Sequence, residues 1–141
     1  MFNEEQKKKL KEFLTEQIGK PYLFGAEALP GTPIVYWDCS ELVEIAYAQI
    51  GIKVPDGARY QIAACYKLLG PVEREDLGDV GFLIDPPDTP ARHVVMVYDD
   101  KNVIEARGKP FNKVMFCPKS YWENRKGFTG WYRFKTLRGC A

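Results

Sequence analysis

Imidazole is scarce in this chain: its 141 residues include a single histidine, His93. A metal centre built on several histidines is thereby excluded, and any proton transfer by imidazole has one candidate. The four cysteines, Cys39, Cys65, Cys117 and Cys140, include no Cys-x-x-Cys pair. One histidine cannot complete a zinc-finger ligand set, so no metal site is expected. An excess of charge is missing too. Twenty basic and 19 acidic residues leave a net +1, too weak a field to gather nucleic acid or an anionic membrane. No apolar run approaches ~18 residues, so no membrane span is expected. The start, Met1-Phe2-Asn3-Glu4-Glu5, is charged and lacks the apolar stretch of a secretory signal. The expected location is the cytoplasm, or outside the cell by a signal-independent route such as phage release or effector injection. The expected compartment is reducing, with free thiols.

What is present suffices for a core. Apolar residues make up 45% and aromatic residues 13%, which fits one folded domain over 1–141. Residues 4 to 18 read as an amphipathic helix, with Leu10, Phe13, Leu14 and Ile18 on one face and a lysine run on the other. Gly19 and Pro21 stop it, and a loop carrying Tyr22 and Gly25 follows. Helices are predicted over 39–50, ended by Gly51, and over 58–69, ended by Gly70. The pattern then shifts to a period of two. Strands are predicted over 80–84, 93–98, 103–106, 113–117 and 131–134, with a stiff Pro86-Pro87 loop before His93. Helices first and strands later predict an α+β domain with an antiparallel sheet of about five strands.

Cys39 is the most reactive candidate by position. In Trp37-Asp38-Cys39-Ser40-Glu41-Leu42 an extended segment turns into a helix. Asp38 is placed to cap it, and Glu41 is placed as the return half of a capping box. Cys39 then faces unpaired backbone N–H groups and the positive end of the helix dipole, a setting that favours thiolate over thiol. On the predicted strand 93–98, His93, Val95 and Val97 share a face. A three-residue turn at Asp99–Lys101 sets Tyr98 opposite Asn102 and Val95 opposite Glu105. Glu105 is then one diagonal step from His93, within reach of a long side chain. A carboxylate there accepts a ring N–H, orients the imidazole and stabilises it when charged, the third role in a nucleophile–base–orienter set. An amide at 105 would still orient the ring, so Glu105→Gln is expected to be milder than loss of Cys39 or His93.

Each residue also has an ordinary reading. A lone cysteine is most often a small buried hydrophobe, a lone histidine a satisfied core or surface residue, and Glu105 a partner for Arg107 or Arg92. Cys65 reads as a mid-helix core thiol, Cys117 as a strand-end thiol before Pro118, and Cys140 as a tail residue. The combination of Cys39, His93 and Glu105 is more specific than any member.

In this combination the chain resembles the NlpC-type cell-wall cysteine peptidases, a papain-like family, from about Gly19 to Phe134. The matching segments are Pro21-Tyr22-Leu23-Phe24-Gly25-Ala26, Asp38-Cys39-Ser40-Glu41-Leu42, Gly51-Ile52, Gly78-Asp79-Val80-Gly81-Phe82 and His93-Val94-Val95-Met96-Val97-Tyr98, with Glu105-Ala106 twelve positions beyond the histidine. The resemblance implies a papain-like α+β fold with the nucleophile helix packed on the sheet. It implies Cys39 as nucleophile, His93 as base, Glu105 as orienter and Tyr22 beside the oxyanion. It also implies Asp38 and Ser40 at the subsite for a free peptide amine. The chain departs from the family in having Glu41 where glycine is usual, Glu105 where histidine, asparagine or glutamine is usual, and a longer approach over 28–36.

The expected activity is hydrolysis of peptidoglycan stem peptides or muropeptides at the γ-D-glutamyl–diamino acid bond, through an acyl-enzyme and without metal or organic cofactor. Two alternatives stand beside it. One is a papain-like amidase or acyltransferase acting on a non-wall substrate. The other is a non-catalytic binding module that keeps the fold.

Overall fold

The computed structural model describes residues 2–25, 37–68, 74–87 and 89–137. Its centre is a six-stranded sheet in the order β1-β6-β2-β3-β4-β5, each neighbouring pair antiparallel. The strands are β1 (Cys65–Lys67), β2 (Val80–Leu83), β3 (His93–Val97), β4 (Asn102–Arg107), β5 (Lys113–Pro118) and β6 (Phe128–Phe134). The helices are α1 (Glu4–Gln17), α2 (Cys39–Ala48), α3 (Ala58–Ala63) and α4 (Lys119–Glu123), and a 3-10 turn, Lys135–Leu137, follows β6. No described helix is long and apolar enough to cross a membrane.

Local chemistry explains the first two helices. Asn3 and Gln6 form a complete capping box at the start of α1, and Glu4 and Glu5 lie in its first turn against the positive end of the dipole. Leu10 and Leu14 are fully buried beneath it. In α2, Leu42, Val43, Ala46 and Tyr47 are buried, and this face packs on β3 and β4. Each large apolar side chain so covered contributes about 1.5–3 kcal/mol relative to exposure.

Alternation along the strands gives the sheet an apolar layer on both faces. Val94, Met96, Ile104, Ala106 and Val114 join the cluster beneath α2. Val95, Val97, Val103 and Cys117 join a second cluster with Trp122 and Trp131. The β3–β4 register pairs Met96 with Ile104 and Val97 with Val103, the alignment that the turn at Asp99–Lys101 predicts.

The helix expected over 58–69 is a correction. It ends at Ala63, and Cys65–Lys67 instead pairs with β6 as Cys65↔Phe134, Tyr66↔Arg133 and Lys67↔Tyr132. The pairing supplies an edge strand that local helical spacing cannot foresee, and it raises the strand count from about five to six. Leu69 and Gly70 lie outside the described residues. Cys65 remains buried on its new element, and burial pushes its thiol up to about 12, so it is chemically quiet as expected.

The segment Gly78-Asp79 is structural. Gly78 has φ 90°, and a Cβ there would stand 2.9 Å from the Phe2 ring and 3.0 Å from the Tyr47 hydroxyl. The fully buried Asp79 accepts two bonds from the Arg133 guanidinium, at 2.8 and 2.6 Å, and one from the Asp76 N–H at 2.8 Å. Burial still raises its carboxyl pKa, despite the opposing guanidinium.

Candidate active site

Three segments meet at the mouth of α2. Asp38 has extended backbone and caps the helix: its Oδ1 accepts the Glu41 N–H at 3.0 Å and the Ser40 hydroxyl at 3.0 Å. Its Oδ2 accepts the Gly25 N–H at 3.1 Å, tying the Tyr22 loop to the helix start. Cys39 is therefore the first helical residue, 8% exposed. The N–H groups of Cys39 and Ser40 have no carbonyl partner within the helix.

Tyr22 is placed by backbone. It bridges to Trp37, donates its N–H to the Asn112 carbonyl at 2.9 Å, and has its ring against Gly108. Burial raises the Tyr22 phenol pKa, and the nearby Cys39 and Asp38 raise it further. Trp37 is fully buried and donates its indole N–H to Gln17 at 3.1 Å, so α1 anchors the approach to Cys39. Ala26 and the longer approach over 28–36 lie outside the described residues.

His93 opens β3, and its Nε2 lies 2.9 Å from Glu105 Oε1 across β4. With Nε2 engaged there, Nδ1 is the nitrogen left for the Cys39 sulfur. Burial is the largest influence on the ring and disfavours charge. Hydrogen bonding and charge from Cys39, then Glu105, outweigh it and hold His93 at about 9. The imidazolium is thus the resting form at neutral pH. Glu105 is only 1% exposed, so it is not the surface partner of its ordinary reading. Its second oxygen accepts the Trp122 indole N–H at 2.5 Å, and Arg107 Nε stands 3.9 Å from the first.

Trp122 is the residue that sequence reasoning missed. It lies on α4, a helix absent from the sequence prediction, and also stacks on His93 with centroids 5.2 Å apart. The available signal was the aromatic pair Tyr121-Trp122 after Pro118 in a segment too short to show periodicity.

Of the expected capping box the structure shows the Asp38 half, with the Glu41 N–H donated to Asp38. The buried Glu41 carboxyl, expected as the return half, hydrogen-bonds Glu44, which in turn meets Asp56. Burial first, then these two carboxylates, push Glu44 up to about 7. The usual glycine is thus replaced by one end of a proton-sharing acidic cluster joining α2 to the turn before α3.

A groove of about 620 Å³ runs past Cys39, lined by Tyr22, Asp38, Ser40, Asp56, Arg59 and the segment Pro90–Arg92. One wall is therefore the end of the loop before β3. A second depression, about 280 Å³, begins at His93 and shares Tyr22 and Arg92 with the first. A larger hollow of about 940 Å³ beside Glu75 and Lys119 contains none of these groups. Cys117 is buried, and burial followed by Glu105 raises its thiol pKa. Cys140 lies outside the described residues.

The structure thus defines an α+β protein with a thiol at a helix mouth against an imidazole and a buried carboxylate on neighbouring strands. The family model of the NlpC/P60 family matches residues 19–127, and the chain belongs to that family. Among solved structures it is similar to an NLP/P60-family, lipoprotein-like protein from Staphylococcus aureus: 26% identity, TM-score 0.73, covering 94% of this chain and 42% of that one. It is also similar to a hypothetical invasion protein of Mycobacterium tuberculosis, at 26% identity and TM-score 0.68, covering 92% of this chain and 62% of that one. The peptidoglycan hydrolase RipB of the same organism shares the fold, at 23% identity and TM-score 0.67, covering 93% of this chain and 67% of that one. The chain spans less than two thirds of the first two. No curated protein matches it in sequence.

Proposed function

We propose that this protein is a cysteine hydrolase of peptidoglycan stem peptides, cutting the amide between a γ-D-glutamyl group and a diamino acid. The observation that carries the reading is the contact chain Cys39–His93–Glu105 at the junction of two grooves. Membership of the NlpC/P60 family, and the activity of the fold relative RipB, direct it toward the wall.

In the first step the Cys39 thiolate adds to the amide carbonyl. The oxyanion is held by the N–H groups at the start of α2 and by the Tyr22 hydroxyl. His93, cationic at rest, gives its proton to the amine as the C–N bond breaks, leaving a thioester on Cys39. The neutral ring then takes a proton from water, hydroxide adds to the thioester, and the acid leaves as the sulfur departs. Glu105 holds the ring and favours its charged form throughout. Asp38 and Ser40 line the acyl end of the groove and receive the free amine of the stem.

The test is mass spectrometry of sacculus and muropeptide digests, comparing wild type with Cys39→Ala. New γ-D-glutamyl carboxyls are expected from wild type only. Cleavage by Cys39→Ala would overturn the nucleophile, and a different amide cut only by wild type would favour a non-wall amidase or transferase.

A further inference from the structure

The two grooves differ in charge. The Cys39 end sets Asp38 and Asp56 against Arg59 and Arg92 and is balanced. The His93 end is lined by Arg92, Arg107, Lys109 and Arg125, with Tyr22, Leu83, Gly108 and Trp122, and among the described residues by no carboxylate. Glu105 lies behind this wall with its side chain fully covered, already engaged by His93 and Trp122. Arg92 is loosely countered by Asp85 at 3.8 Å.

Two of the cations are fixed side by side. Arg107 Nη2 donates to the Tyr121 hydroxyl at 2.6 Å and Arg125 Nη1 donates to the same oxygen at 3.2 Å. Both guanidiniums lie over the Trp122 ring, each 5.3 Å from its centroid. Glu105, 3.9 Å behind Arg107, offsets part of this charge, and the remaining positive charge favours an anion in the concavity. Planar guanidiniums already immobilised lose little freedom on meeting a carboxylate.

Chemistry sets which part of the substrate enters. The acyl portion stays on Cys39, and the amine portion receives its proton from His93. The cationic end is therefore the leaving-group side. A carboxylate on the first residue beyond the scissile bond is only a few bonds from the nitrogen, and the 280 Å³ hollow that begins at His93 accommodates about a residue.

Resting on the proposed hydrolysis, we infer that Arg92, Arg107, Lys109 and Arg125 form a carboxylate subsite for the leaving diamino acid. The preferred substrates are then short stems ending in a free carboxylate next to the scissile amide. Such a peptide is zwitterionic, with its ammonium at Asp38 and its carboxylate among the arginines.

The test uses L-alanyl-γ-D-glutamyl-L-lysine and its C-terminal carboxamide, which differ by one negative charge. Calorimetric binding to Cys39→Ala and hydrolysis by wild type are measured for both, then repeated in a Lys109→Gln/Arg125→Gln background. The free acid is expected to bind and react at least about tenfold better, as charge-assisted hydrogen bonds imply. The double substitution should bring both ratios toward one. Should it unfold, the exposed Lys109→Gln alone should lower them. Equal hydrolysis of both probes overturns the subsite and leaves the hydrolase intact. A binding preference abolished by the substitutions, without any hydrolysis, supports the subsite and overturns the hydrolase. Binding of neither probe, or a preference that survives the substitutions, overturns the inference.

Discussion

Replacing Glu105 by glutamine tests the reasoning most sharply, because the structure adds a cost that the sequence does not show. An amide is nearly isosteric with a carboxylate and would seem able to hold the ring. Both Glu105 oxygens, however, accept bonds: Oε1 from His93 Nε2 and Oε2 from the Trp122 indole. Glutamine has one oxygen. If it faces His93, its NH2 meets the indole N–H, donor against donor in a buried site. If it faces Trp122, its NH2 donates to Nε2 and forces the proton to Nδ1, removing the imidazolium that the first step requires. Leaving a buried donor unmatched costs about 1–3 kcal/mol, or roughly 5–150-fold. Removing the indole donor while keeping an aromatic ring should relieve the conflict. Trp122→Phe/Glu105→Gln is therefore expected to retain more activity than Glu105→Gln alone. The assay is kcat/KM on a soluble stem peptide through the four-member mutant cycle, with melting curves to confirm folding. Additive losses would refute the shared-carboxylate argument.

Three further outcomes follow from the same geometry. His93 should titrate by NMR near pH 9, and kcat/KM should fall as pH rises through that value; a midpoint near 6.5 would remove the influence assigned to Cys39 and Glu105. Glu44 holds its proton more tightly folded than unfolded, so its contribution is complete below about 4.5 and fades as pH rises through about 7. Glu44→Gln should thus gain stability over wild type at pH 8 and little at pH 5, by chemical denaturation; an equal gain at both would contradict the acidic cluster. A Cβ at Gly108 would lie 3.3 Å from the Tyr22 ring, so Gly108→Ala should lower kcat without lowering the melting temperature, and unchanged kcat would remove Tyr22 from the oxyanion site.

The sequence was most readable where signals were local or periodic. Asp38 before an apolar helical run marked the mouth of α2, and the turn at Asp99–Lys101 gave the β3–β4 register that brings Glu105 to His93. It was least readable where an element depends on a distant partner. Cys65–Lys67 has the apolar spacing of a helix and becomes a strand because β6 offers an edge. Trp122 sits on a helix of five residues held by packing, and no periodicity betrays so short an element. Nor does spacing reveal that Arg107 and Arg125, far apart on the strand and loop, converge on one hydroxyl.

These unreadable parts explain why a glutamate can serve at position 105. A carboxylate that is 1% exposed faces a desolvation penalty of several kcal/mol unless its lone pairs are filled and a positive charge is close. His93 fills one oxygen, the Trp122 indole fills the other, and the Arg107 guanidinium stands at 3.9 Å. A neutral orienter would need neither the indole nor the guanidinium. The buried carboxylate and its aromatic and cationic supports therefore form one unit, and that same unit builds the wall proposed for the leaving group. Altering Arg107 should consequently disturb both the His93 titration and the carboxylate preference, whereas altering Lys109 should disturb the preference alone.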